Sequence, residues 1–273
     1  VSIPLVIYHG NCQDGFTAAW AVWKVHPDWE FYPGKYQETP PDSTGRDVYF
    51  VDFSYKRPVI LEMAAKAKSI TILDHHASAE KDLVDLPGNV IVNFDLEKSG
   101  ARLAWEWFHP GKPVPQLLIR VEDRDLWRFH YPDSKEISTF FFSYDYNFKS
   151  WDWLMGLGEK PEELEKMQGY GSVILRKQAK DIDELLQNKY FAQIGGHIVP
   201  VANLPYTLCS DAGHILAQGQ PFGATFYLDG KSAIFSLRST DDGIDVSEVA
   251  KQYGGGGHKH AAGFKVPFTG SFL

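Results

Sequence analysis

Ser69-Ile70-Thr71-Ile72-Leu73-Asp74-His75-His76 is an apolar run that ends, without a break, in one acid and two imidazoles. A short, continuously apolar stretch of this kind predicts a strand covered on both faces. The same pattern recurs at residues 4–8 before His9, at 48–51 before Asp52 and at 90–94. Helix-like segments separate these runs. Residues 16–25 are rich in Ala and Trp, residues 58–67 place Ile60, Leu61, Ala64 and Ala65 on one side, and a further helix is expected over 99–108. Strand–helix alternation predicts an α/β fold, a mainly parallel sheet with helices on both faces. Ligands of open parallel sheets bind beyond the carboxyl ends of the strands. His9, Asp52 and the Asp74-His75-His76 triplet, distant in sequence, are therefore expected along one sheet edge.

The remainder of the chain reads differently. Residues 131–171 hold Phe140-Phe141-Phe142, Trp151 and Trp153 between loop-like breaks. This composition suits core packing better than an aromatic cap over a site. Leu175, Ala179, Ile182 and Leu186 recur at helical spacing and predict a connecting helix over 172–191. From about Gly195 short apolar strands are expected at 198–201, 215–217, 224–227 and 233–236, with a short helix beginning near Ser247. The expected division is a metal-binding catalytic domain over 1–130, an aromatic-rich and connecting segment over 131–194, and a smaller mixed α/β domain over 195–273.

Composition limits the chemistry. The chain has 273 residues, of which 44% are hydrophobic, enough for a core without a disulfide scaffold. Its two cysteines, Cys12 and Cys209, do not resemble a secreted framework, and the reading leans to a soluble, cytoplasmic protein. Residues 1–9 lack the basic lead and cleavage site of a leader, and no segment approaches the ~20 apolar residues of a membrane span. A net charge of -8 argues against a broad electrostatic grip on duplex DNA and favours small nucleotides or short single strands. No protein partner is evident, and a homodimer is compatible with this reading.

The polar residues after the strands form a ligand set. Asp74 can orient a histidine, and His75 and His76 can bind a divalent metal through nitrogen. His9-Gly10-Asn11-Cys12-Gln13-Asp14-Gly15 puts one imidazole and one acid on a bending backbone, although Asp14 also suits helix capping. Asp52 follows a buried run, where a dry, unpaired carboxylate is costly and metal coordination or water resolves the cost. Asp123 and Asp125 crowd around Arg124 and supply a further carboxylate, or merely a salt-bridged turn. Mixed imidazole and carboxylate donors suit Mn, Zn or Fe. Two ions bridged by one carboxylate, for which Asp52 is the candidate, predict hydrolysis of a phosphodiester by metal-activated water. In the second domain Gly254-Gly255-Gly256-Gly257-His258 exposes backbone N–H groups that can admit a phosphate. His258 can donate to it, and Arg238 offers a fork of donors to a phosphate or base edge.

These residues resemble the DHH phosphoesterases that carry a C-terminal DHHA1-type domain. Asp74-His75-His76 matches the triplet for which that family is named, Asp52 matches its aspartate after the second strand, and Asp123 or Asp125 its fourth acidic motif. Gly255-Gly256-Gly257-His258 with Ala261-Ala262-Gly263 resembles the glycine-rich signature of the second domain. The resemblance implies a two-metal, often manganese-dependent centre with His9, Asp14, Asp52, His75 and Asp123 or Asp125 as ligands. It also implies catalytic roles for Asp74, His76 and His258, and substrate binding by Arg238, Gly255, Gly256, Gly257 and His258. Short oligonucleotides or cyclic dinucleotides are the expected substrates. A phosphomonoesterase and a non-catalytic nucleotide sensor are the alternatives. One departure stands out: Cys12 occupies the place of the first motif's leading aspartate, so a thiol is expected close to the metals.

Overall fold

The computed structural model describes residues 2–36 and 38–268, and the chain divides into two compact units, 1–175 and 176–273. The first unit is built on five parallel strands. These are β1 (Leu5–His9), β2 (Glu30–Gly34), β3 (Asp47–Val51), β4 (Ser69–Asp74) and β5 (Val90–Phe94), in the order β2-β1-β3-β4-β5. Because successive strand side chains point to opposite faces, β1, β3 and β4 each feed two cores. Val6, Val51 and Leu73 pack with Phe16, Trp20, Leu103 and Trp105 from helices α1 (Gln13–Trp23) and α4 (Gly100–Phe108). Leu5, Ile7, Phe50, Ile70 and Ile72 turn the other way, onto Ile60 and Met63 of α2 (Arg57–Ala64) and Leu83 after α3 (Ala77–Asp82). The expected α/β sheet with helices on both faces is what the chain forms. β1 lies between β2 and β3, so the chain departs from it in both directions, and the strand ends beside that reversal are where such sheets place ligands.

The aromatic-rich segment does not stand apart. Helices α5 (Gln116–Asp125), α6 (Ser134–Phe142) and α7 (Phe148–Gly158) add Leu117, Val121, Phe141, Trp151 and Leu154 to the α1 side of the first unit's core. Trp151 is fully buried, packs edge-on to Phe16 at 5.1 Å, and donates from Nε1 to Thr17 Oγ1 at 3.2 Å. Helix α8 (Pro161–Leu186) starts earlier than the apolar spacing suggested, with Glu162 and Glu163 in its first turn, where negative charge is favourable. It gives Met167 to the first core and Ile182 and Leu186 to a core of the second unit.

The second unit carries a mixed six-stranded sheet in the order β10-β11-β9-β8-β7-β6. Its elements are β6 (Tyr190–Ile194), β7 (His197–Asn203), α9 (Cys209–Leu216), β8 (Gly223–Asp229), β9 (Ser232–Arg238), α10 (Val246–Lys251), β10 (Gly256–His258) and β11 (Ala261–Pro267). Gly195 and Gly196, at φ 56° and 86°, form the two-residue turn joining β6 to β7. Residues 215–217, expected as a strand, instead belong to the end of α9. Cys209, Ala212 and Leu216 recur at helical spacing and are buried together, which period-two alternation cannot achieve. Among the described residues no helix is long and apolar enough to cross a membrane.

Replacing Trp151 by Ala removes the largest fully buried side chain in the first unit together with its hydrogen bond. The expected loss is about 3–5 kcal/mol, read as a lower denaturant midpoint with the slope unchanged.

Candidate metal centre

Asp52 is set by the backbone before any ligand is considered. It leaves β3 at φ 56°, and its N–H donates to Leu73 O at 2.9 Å. A non-glycine residue in this left-handed region is strained by about 1–3 kcal/mol and persists only where its surroundings dictate it. Here the start of α4 does so. A Cβ on Gly100 would lie 2.2 Å from Asp52 Cβ and 2.6 Å from its Cα, so only glycine allows the helix this close. Gly15 plays the same part for His9, since a Cβ there would meet His9 O at 2.4 Å. Asp52 is 1% exposed. Its Oδ1 sits 3.0 Å from His75 Nε2 and its Oδ2 3.6 Å from His9 Nδ1, yet buried Oδ2 accepts no hydrogen bond among the described residues. Burial works against its charge, but the imidazoles of His75 and His9 hold its carboxyl far below the ordinary range.

Asp14 reaches the same point from the first turn of α1. It does not cap its own helix. Its Oδ2 accepts from Gly100 N at 2.7 Å and its Oδ1 from Ala101 N at 3.2 Å, so it satisfies the amino end of α4. Burial, together with Asp52 and Asp125, pushes Asp14 well above the usual carboxylate range. Asp14, Asp52 and Asp125 stand 3.9, 3.0 and 3.6 Å from His75 Nε2. Burial disfavours a charged His75, but contact with Asp52, then Asp125 and Asp14, drives it up to about 10. Burial and the neighbouring Asp52 hold the Asp14 and Asp125 carboxyls above their usual range beside this one imidazolium, a cost that a divalent cation would relieve.

Asp74 organises the triplet. It is fully buried. Its Oδ1 accepts from the backbone of His75 at 2.8 Å and lies 2.7 Å from His76 Nδ1, while its Oδ2 accepts from Ser54 Oγ at 2.9 Å. Burial opposes its charge, and His76 keeps it below the usual range. An ionised Asp74 makes Nδ1 the protonated nitrogen of His76, which leaves Nε2 as the atom that can exchange a proton.

The two acids of α5 separate. Asp123 accepts from His130 N at 2.9 Å, Tyr131 N at 3.0 Å and Ser134 Oγ at 2.5 Å. It is 4% exposed and fastens the loop after α5. Asp125, with a side chain 29% exposed, is the one that faces His75. Of the two candidates, Asp123 has both oxygens engaged with the 130–134 segment, whereas Asp125 lies 3.6 Å from His75 Nε2.

Among the described residues of the first unit, three donor trios each fit within a 4.8 Å span: His9, Cys12 and Asp52; Asp14, Asp52 and His75; and Asp52, Asp74 and His76. Asp52 is common to all three. The donor chemistry and the orphaned Asp52 oxygen fit divalent ions. Burial, then the acids Asp52, Asp125 and Asp14, push the Cys12 thiol well above its ordinary range. Gly100 and Ser54 escaped the sequence reading. Neither carries a ligand, and only the packing of α4 and the reach of Asp74 reveal them.

In the second unit the register places His258, Ala261 and Arg238 opposite one another on β10, β11 and β9. Paired residues share a face, so His258 and Arg238 are two strands, or about 10 Å, apart. The Arg238 Nη1 donates to Ser236 Oγ and Leu237 O at 2.9 Å, and its Nη2 to Ser210 Oγ at 3.3 Å. Gly255 and Gly257 are dictated by backbone approach. A Cβ would lie 2.1 Å from Gly263 O at the first and 2.5 Å from Ala261 O at the second, where φ is 142°. Gly256 and Gly257 lie in β10 with His258.

Asp123→Ala is expected to lower stability by roughly 1–3 kcal/mol in denaturant melts, by orphaning buried donors, and to reduce metal affinity less than Asp125→Ala does. Asp125→Ala is expected to weaken Mn2+ binding in calorimetric titration with little change in the melt. Gly100→Ala is expected to do both, because Asp52 must move.

A family model described as the DHHA1 domain matches residues 217–270. The chain is 31% identical to uncharacterized protein R106 of Acanthamoeba polyphaga mimivirus over 295 residues, covering 98% of this chain and 68% of that one. It is also similar to an uncharacterized protein from Helicobacter pylori G27, at 13% identity and a TM-score of 0.48 over 100% of this chain and 96% of that one. The pGpG-specific phosphodiesterase PggH from Vibrio cholrae gives 16% identity and a TM-score of 0.47 over 97% and 94%. With a DHHA1 domain at residues 217–270, a relative 31% identical over 98% of the chain, and the Asp74-His75-His76 triplet at the carboxyl edge of the parallel sheet, the protein belongs to the DHH/DHHA1 family.

Proposed function

We propose that the protein hydrolyses phosphodiester bonds in small nucleotides, short oligonucleotides or cyclic dinucleotides, at a two-ion centre. The observation that carries this reading is Asp52: one buried carboxylate shared by three donor trios, with an oxygen that takes no hydrogen bond. Asp14, Asp52, His75 and Asp125 would hold one ion, and His9 and Asp52 belong to the other position. Manganese suits this largely oxygen and imidazole set. Bound there, divalent ions neutralise phosphoryl charge and supply a nucleophilic water near neutral pH.

The protein's own residues do the rest. Asp74 is a positioning residue, fixing His75 through its backbone and His76 through Nδ1. His76 Nε2 is the atom proposed to exchange a proton with the reacting phosphoester. Arg238, held by Ser236 and Ser210, presents a guanidinium to phosphate or a base edge. His258, in the same row of the sheet, is proposed to donate to a phosphate or leaving-group oxygen. The glycines at 255–257 keep side chains away from the backbone beside it. Free thiols at Cys12 and Cys209 support a reducing compartment, the cytoplasm in this proposal. A second reading, nucleotide binding without turnover, draws on the thiol of Cys12 where the resembling motif has a carboxylate.

Incubation with Mn2+ and a panel of dinucleotides, cyclic dinucleotides and short RNA is expected to release mononucleotides or linearised products. Chelation should stop the reaction, and Asp52→Asn should lower kcat/KM by more than about a hundredfold. Tight binding without product at saturating metal would instead establish the sensor reading.

A further inference from the structure

The first donor trio differs in kind from the second. Asp14, Asp52 and His75 offer oxygen and nitrogen, whereas His9, Cys12 and Asp52 add sulfur. Cys12 precedes α1 at φ -121° and ψ 136°, after a left-handed Asn11 at φ 57°, and its side chain makes no capping bond to the helix. The usual reason for a polar residue at that place is therefore missing. In the same trio lies the buried Asp52 Oδ2, which accepts no hydrogen bond among the described residues and stands 3.6 Å from His9 Nδ1. One donor atom from each of His9, Cys12 and Asp52 lies within 4.8 Å of the others.

Resting on the metal-centre reading above, we infer that the His9–Cys12–Asp52 position binds a thiophilic divalent ion of the zinc class through the Cys12 sulfur. The Asp14–Asp52–His75 position then takes the harder ion, and Asp52 joins the two. Imidazole, thiolate and carboxylate are zinc-type donors, while manganese and magnesium favour oxygen. Ligation expels the Sγ proton to solvent as the sulfur–metal bond forms. The centre is in consequence mixed, with its two positions ranked differently by ion softness.

Co2+ is the probe, because sulfur ligation gives it a near-ultraviolet charge-transfer band independent of any turnover. The whole protein titrated with Co2+ should develop that band. Cys12→Ser should lose it, and Asp14→Asn should keep it. In competition, the preference for Cd2+ over Mn2+ should fall by roughly tenfold or more in Cys12→Asp, whose carboxylate restores an oxygen donor. Melting curves of both Cys12 variants with and without metal establish that they fold. A wild-type protein without the band at saturating Co2+, or a band that survives in Cys12→Ser, overturns the inference. These outcomes are separate from the assay above: hydrolysis with Mn2+ but no band refutes sulfur ligation alone, and a band without hydrolysis refutes only the catalytic reading.

Discussion

Asp52 occupies a position that every neighbouring element has to accommodate. Its backbone turns left-handed as β3 ends, its Cβ faces Gly100 at the start of α4, and its two oxygens lie near the imidazoles of His75, just past β4, and His9, at the end of β1. A carboxylate this deeply buried is expensive unless compensated. The compensation is partial, since Oδ2 accepts no hydrogen bond among the described residues and His75 is shared by Asp14, Asp52 and Asp125. The sheet order, the glycines and the charge imbalance are thus parts of one arrangement. Each holds an anionic group in a dry place that a divalent cation would satisfy.

The helices contribute more than cover. α4 meets Asp14 with its first N–H groups and Asp52 with its glycine, so a single helix end packs against two of the site's acids. α5 turns its two acids to different sides: Asp123 and Asp125 are two residues apart, a little over half a helical turn, so one ties down a loop while the other faces His75. The second unit achieves its arrangement through sheet register instead, with β9, β11 and β10 aligning Arg238, Ala261 and His258.

Strands β1, β3 and β4 were legible because each is an apolar run stopped by a polar residue, and those stops are His9, Asp52 and Asp74. Strand β2 was not, since Pro33 and its half-exposed pattern carry no such signal. Helix α9 read as a strand because Ile215, Leu216 and Ala217 are consecutive and apolar, while the spacing that decides the matter runs back to Cys209. The choice between Asp123 and Asp125 depends on where residues 130–134 return, and the bond between Asp74 and Ser54 on how two strands pair. Contacts between distant segments leave no local trace. The site's residue types could be read from the sequence, but their division of labour could not.

The donors around Asp52 come from β1, α1, the end of β3, β4 and α5, a span from residue 9 to residue 125. No short stretch of the chain holds a complete set. An ion therefore cannot nucleate folding here as zinc does in a finger, where ligands lie a few residues apart. During synthesis the sheet must close and α5 must dock before the full coordination sphere exists, which makes metallation a late event of biogenesis. An ion held there would add to a fold already formed, so its contribution to stability would come from closing contacts between distant segments and not from starting the chain's collapse.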